Sequence, residues 1–551
     1  MLGNSHGKIR AVRNALLAIV CACQVIAICS AAQHEQGGIE PEKLGRVNFP
    51  ISCQPAVQPQ FNRAVALLHS FGYQKAADAF AAIAESDPAC AMASWGVAMT
   101  HYKPLWEAPT PMDLKQGLAS IETAKSIGAK TERERDYIVA LEIFYKDFDK
   151  LDHRTRALAY EKAMEQLRNR YPKDREAAIF YALAVLANAQ PGDKTYTNQK
   201  KASVILVPIF AAHPDHPGLA HYIIHCDDYP PLAAQGLDAA RRYAKIAPDS
   251  PHALHMPSHI FTRLGLWQES IESNMASAAA AREEGASGDE LHARDYLIYA
   301  YLQRGQDNEA KKVLEGVPRV APNDPAYFAG LYAIATMPAR YAVERHRWTE
   351  AEALTLPLNT FPGGNYAWTE TNLYFARALG AARIRDVGAA RSSLQRLASL
   401  RDTLVTYKDK YWVEQADIQY EIVAAWIAQV TGKEKEALEQ MRAAADHEDA
   451  TDKHAVTPGA IVPARELLGE MLLDLKQPVP ALEAFEATLR GAPGRFNALS
   501  GAARAAQLAG DRGKARIYYT KLLSNCDQAD GDRSEIREAK AFLAQKSGAP
   551  S

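Results

Sequence analysis

The feature that most limits what this chain can fold into is a regular spacing of about 34 residues, room for two helices and a turn. Ala481 and Phe485 recur one such interval later as Ala515 and Tyr519. Within the stretch from Pro493 to Leu523, Ala498, Ala502, Ala503 and Ala506 give a first helix a small-residue face. Gly510-Asp511 supply a turn, and Ala515, Tyr519 and Leu522 fall at helical spacing in a second helix. A pair of helices cannot bury its own apolar face, so such units stack and share one continuous core. Strand-like alternation is almost absent between the units, which predicts an all-α chain.

The unit resembles the tetratricopeptide repeat (TPR), a family with the same helix–turn–helix period. That family also has small residues where helices cross, an aromatic in the second helix and a closing proline. Tyr73, Ala76, Phe80 and Pro88 repeat the second-helix signature, as do Trp348 with Ala351, and Ala390 with Leu394. The resemblance implies a TPR-like α-solenoid of stacked antiparallel helix pairs with a concave groove. It is patchy across residues 104–160, and residues 361–365 and 446–458 read as loops. The expected division is a signal peptide over 1–32, an extended segment over 33–56, a solenoid over 57–320 with its histidine-rich part at 213–305, further repeats over 321–545, and a tail over 546–551.

The N-terminus has the pattern of an export signal. Lys8, Arg10 and Arg13 precede an apolar run over 15–29 broken by Gln24, and Ser30-Ala31-Ala32 offer a cleavage point before Gln33. The run is shorter than the ~20 apolar residues of a spanning helix. Bulky Ile28 argues against lipid attachment at Cys29, and no later stretch reads as a membrane span. The expected location is periplasmic or secreted, where disulfides persist. Four cysteines follow the signal, and Cys53 and Cys90, close in sequence, are the expected pair. A net charge of -2 provides no basic field for a phosphate backbone, so nucleic acid is not an expected partner. No glycine-rich phosphate loop suggests a nucleotide cofactor.

Chemistry concentrates between His213 and Tyr301. His221 and His225 form a His-x-x-x-His pair, and His255 and His259 form another at the equivalent place one repeat later. Spacing of four sets both rings of a pair on one helix face, one turn apart. The resemblance to the tetratricopeptide repeat implies that these positions, and that of His252, point into the groove. Aligning Gly305 with Gly265 places His292, Asp295 and Tyr299 opposite His252, His255 and His259. Helix axes in neighbouring units lie about 8–10 Å apart, so imidazoles from two units can share an ion. The expected metal ligands are His221, His225, His255, His259 and Asp295, with His252, His292, Tyr299 and Arg263 around them. Such a set suits zinc, copper or iron.

Tyr222 stands where a zinc-protease helix would carry its glutamate base. Asp227 and Asp228 are then the nearest candidates for a catalytic base. Three readings stay open. The first is an exported binding scaffold with a metal in its groove and a peptide or protein partner. The second is a metal-dependent hydrolase or oxidoreductase acting on a small molecule, and the third a metal-free peptide adaptor. A metal store or carrier is a further, separate reading. The phrases around His69, His221–His225, His252–Phe261 and Tyr299–Gln303 resemble a group of exported bacterial TPR proteins, which implies fold and export but no particular reaction.

Overall fold

In a computed structural model, residues 42–105, 108–320, 324, 327–355 and 364–545 are described; the expected signal peptide, Trp106, most of the 361–365 loop and the 546–551 tail lie outside them. Helices follow one another from Gln58–His69 to Ser534–Ala544, with no strand among the described residues. Each helix packs on the next, giving the stacked pairs of a TPR-like solenoid. The described residues from Leu44 onward form one compact unit.

One residue shows how the spacing builds the stack. Phe485, on the helix Pro478–Gly491, is buried between helices Ala464–Asp474 and Phe496–Leu508. A Cβ on Gly469 would lie 2.8 Å from its ring, and a Cβ on Gly501 2.3 Å. Real Cβ atoms do not approach that closely, so a bulky aromatic in each second helix requires small residues on both flanking first helices. Phe80 and Gly96 repeat the arrangement near the N-terminus.

The described part of the extended segment is folded into this core. Leu44, Val47 and Phe49 are buried, and the Phe49 ring packs on Phe61, Trp95 and Tyr137. A disulfide joins Cys53 to Cys90. Cys226 and Cys526 are buried free thiols.

Eight helices position the histidines: α1 (Gln58–His69), α2 (Pro217–Asp227), α3 (Leu237–Ile246), α4 (Pro251–His255), α5 (Pro257–Leu264), α6 (Trp267–Glu284), α7 (Ser287–Gln303) and α8 (Tyr327–Val343). The first helix of the middle repeat is split into α4 and α5 because Pro257 has no N–H to donate and its ring crowds the preceding turn. Met256 keeps helical angles (φ -54°, ψ -34°), so His255 and His259 still sit one turn apart.

The C-terminal repeats pack back on this region. Trp267 donates from its indole N–H to the Gly494 carbonyl at 3.0 Å, and Gln303 accepts from the Phe496 backbone N–H at 2.9 Å. Arg495 is fully buried between Glu344, Glu466 and Tyr299, and Arg533 is buried against Asp307. A segment over residues 451–463 crosses the histidine region. Lys453 reaches Asp228 at 2.6 Å, Thr457 accepts from Tyr296 at 3.1 Å, and Arg340 donates to the carbonyls of Gly459 and Ala460.

Candidate metal centre

The histidines assemble as two trios rather than one shared set. His221 and His225 of α2 meet His252 of α4: the Nε2 atom of His221 lies 3.1 Å from Nε2 of His225 and 3.1 Å from Nε2 of His252. His255 and His259 meet His292 of α7; their Nε2 atoms are 3.0 Å apart, and the His255 and His292 ring centroids are 4.3 Å apart. In each trio one nitrogen per ring lies within 4.8 Å of the other two. Two nitrogens bound to one ion at ~2.0–2.1 Å stand about 3 Å apart, which is the separation found within each pair. Between the trios, His225 faces His259 at 6.2 Å and His252 faces His255 at 6.3 Å, measured between ring centroids.

Each trio thus takes a His-x-x-x-His pair from one repeat and its third ring from the start of the next. Repeat spacing groups His221 and His225 with His255 and His259, the equivalent positions of successive repeats. The structure instead closes each set with the ring one repeat further on.

The outer nitrogens decide what the inner ones can do. Nδ1 of His221 is 2.6 Å from the carbonyl oxygen of His69, which can only accept. Nδ1 of His259 is 2.8 Å from Oδ2 of Asp228. Nδ1 of His255 is 2.6 Å from Oδ1 of Asn274, whose amide nitrogen donates to the Ser270 carbonyl and so fixes which atom faces the histidine. All three rings therefore carry their proton on Nδ1 and present Nε2 as a bare lone pair. His255 and His259 point two such lone pairs at each other across 3.0 Å. A partner for the outer N–H that fixes tautomer and orientation is what metal-ligating histidines ordinarily have.

Burial enforces the neutral form. The six imidazoles are at most 7% exposed. Removal from water holds His221 down at about 3, with the Coulomb effects of His69 and His259 adding to it. The same burial, reinforced by neighbouring imidazoles, carries His225, His252, His255 and His292 well below the ordinary value and lowers His259 despite Asp228. Sequence position had set these rings on an open groove wall. They are enclosed because aromatic rings and the 451–463 segment close over them. Phe71, in a left-handed turn at φ 55°, lies edge-on to His221 with its centroid 4.4 Å away. Tyr296 covers the second trio, 4.8 Å from His255 and 5.0 Å from His259.

The remaining expected residues fall elsewhere. Asp295 is buried against Arg340 and Thr336, at 3.4 and 3.5 Å, and Tyr299 accepts from Arg495 at 2.9 Å; neither joins a trio. Arg263 and Lys453 both bind Asp228. Burial alone would raise the Asp228 carboxyl, but Lys453, Arg263 and His259 hold it well below the usual range. Asp227 is pushed up to about 7 by burial and packs toward Gly236 and Ile260.

No protein-family profile and no curated protein matches the chain. Solved structures do align with it. A Naa15/Naa10 complex bound to HypK-THB has 12% identity and a TM-score of 0.24, covering 88% of this chain and 73% of that one. Human IFIT1, as a dimer with m7Gppp-AAAA, has 10% identity and a TM-score of 0.35 over 79% and 90%. The TPR domain of P58(IPK) has 13% identity and a TM-score of 0.22 over 76% and 100%. Likeness at this level carries nothing about function.

Around the trios the structure adds residues that sequence reasoning had not used. His69, at the end of α1, places its carbonyl on His221 and its ring between Tyr222 and Glu176, at 2.9 and 3.0 Å. Glu176 also binds His216 at 3.0 Å. Burial would raise that carboxyl, yet His216 and His69 hold it far below its ordinary value. Gly218 is required here, since a Cβ would sit 2.5 Å from Nδ1 of His69. The sequence signal for His69 was only the phrase Leu68-His69-Ser70-Phe71, and for Asn274 there was none.

A cavity of about 280 Å³ reaches the first trio, lined by His225, Asp228, Tyr229, Tyr411 and Lys453 among others. A larger one of about 460 Å³, lined by Tyr196, Tyr299, Tyr332 and Trp412, lies across the 451–463 segment. Among the described residues no helix is long and apolar enough to cross a membrane.

Proposed function

We propose that this chain is an exported helical-repeat metalloprotein whose two histidine trios each hold one transition-metal ion, and that this paired centre, rather than a peptide groove, is its working part. One observation carries the reading. His255 and His259 aim unprotonated Nε2 lone pairs at each other across 3.0 Å, with both outer N–H groups already committed to oxygen. No hydrogen bond can bridge two lone pairs, so the arrangement is repulsive until a cation lies between them. In the first trio the His221 Nε2 lone pair, fixed by the His69 carbonyl behind the ring, lies 3.1 Å from Nε2 of both His225 and His252. Enclosure of the rings favours an ion over a peptide as their occupant. The cavity that reaches His225 supports metal-dependent chemistry on a small molecule over a sealed structural ion.

Metal analysis of the purified full chain tests this directly. Two ions per chain are expected, with His221→Ala and His255→Ala each retaining one. A chain that binds no zinc, copper or iron, and whose melting temperature does not change when these are supplied or chelated, would overturn the reading.

A further inference from the structure

We propose that the two trios take copper as Cu(I) and work as one unit, binding dioxygen between the ions as peroxide; this deepens the two-ion reading and rests on it. The donor set selects the metal. Six imidazoles face the ions and no carboxylate does. Imidazole suits copper, zinc, iron and nickel, so charge must decide among them. Burying uncompensated charge is costly. Three of the nearby carboxylates already have partners: Asp228 pairs with Arg263 and Lys453, Asp295 with Arg340, and Glu176 is hydrogen-bonded to His69 and His216. Two divalent ions would place four positive charges in this enclosure with no anionic ligand. Two Cu(I) ions place only two.

Reaction with dioxygen preserves that balance. Each Cu(I) gives up one electron and becomes Cu(II). Dioxygen accepts both electrons and becomes the peroxide dianion with its O–O bond intact. No proton is consumed, and the centre carries two positive charges before and after. The trios are adjacent along the seam between His225 and His259 and between His252 and His255, so one diatomic molecule can touch both ions. Phe71 and Tyr296 shield them from bulk water, and the cavity at His225 admits a small molecule.

The experiment loads the full-length, metal-stripped chain with two equivalents of Cu(I) without oxygen, then admits oxygen. The expected uptake is one dioxygen per two coppers, recovered as one hydrogen peroxide on acid quenching. Electron paramagnetic resonance should show almost no Cu(II) signal, because the paired spins couple. His252→Ala and His292→Ala, checked for native melting, should each retain one copper and lose oxygen uptake entirely rather than by half. Two bound coppers that take up no oxygen, or that give two independent Cu(II) signals, would overturn the coupled centre and leave the two-ion reading standing. Half uptake in either variant would also overturn it. A chain that binds no copper but two zinc ions would overturn the choice of metal alone, and a chain that binds no metal would overturn both readings.

Discussion

Removing metal and lowering the pH should unfold this protein within a narrow range, and the size of the effect follows from the burial of six imidazoles. In the unfolded chain each ring titrates near ~6.5. In the folded, metal-free chain all six are held lower by burial, His221 to about 3. Below ~6.5 the unfolded state therefore binds more protons than the folded one. Stability is at its full value above that pH and is lost as the pH falls from ~6.5 toward 3. A ring that stays neutral costs about 0.1 kcal/mol at pH ~7.5 and about 1.4 kcal/mol at pH ~5.5. Five such rings, those of His221, His225, His252, His255 and His292, amount to about 7 kcal/mol, comparable with the whole net stability of a typical folded domain, roughly 5–15 kcal/mol. The assay is thermal melting of the chelator-treated chain, followed by far-ultraviolet circular dichroism, at several pH values across that interval. A steep fall in midpoint is expected, with His292→Leu flattening the slope by about one proton, or ~1.4 kcal/mol per pH unit. A midpoint that stays level from pH ~7.5 to ~5.5, or a slope unchanged in the variant, would refute the claim that these rings are held neutral by enclosure.

Two further outcomes are expected. Asn274→Leu removes the oxygen that fixes the His255 tautomer and should weaken metal binding about 10–100-fold in a competition titration. Asn274→Asp should recover most of the loss, and equal affinity in Asn274→Leu would contradict the assignment. Replacing Cys53 and Cys90 together by serine opens a cross-link between positions 37 apart. That should cost about 3–4.7 kcal/mol in unfolding free energy, measured by denaturant titration, with metal stoichiometry unchanged; loss of metal would show that the N-terminal segment shapes the centre.

The helical stack was legible because its cause is periodic. An aromatic such as Phe485 needs small residues on both sides, and that demand leaves a mark every repeat. The clustering of the histidines was legible in its members but not in its grouping. A spacing of four names His221 with His225, and His255 with His259, without saying which third ring closes each set. The alignment that placed His292 opposite His252 contained the answer, because a ring opening one repeat can only reach back to the repeat before it. Asp295 was misjudged for a physical reason absent from local sequence: Arg340, 45 residues away, takes its carboxylate. Asn274, Phe71 and the 451–463 segment act through the tertiary fold, where no spacing rule applies. The enclosure was invisible for the same cause, since the covering segment comes from far down the chain: Lys453 stands 225 positions beyond the Asp228 it binds.

Because every trio borrows its last ring from the following repeat, the centre is a property of the boundary between units and not of any unit. A run of such modules forms one histidine trio fewer than it has modules. Here the row stops where the next module substitutes Asp295 and Tyr299 for the pair His255 and His259, and hands them to Arg340 and Arg495 as structural anchors. The same register that ends the row tells how it could be lengthened: a copied module carrying its own pair and its own opening histidine would bring a new coordination site, already aligned with the last.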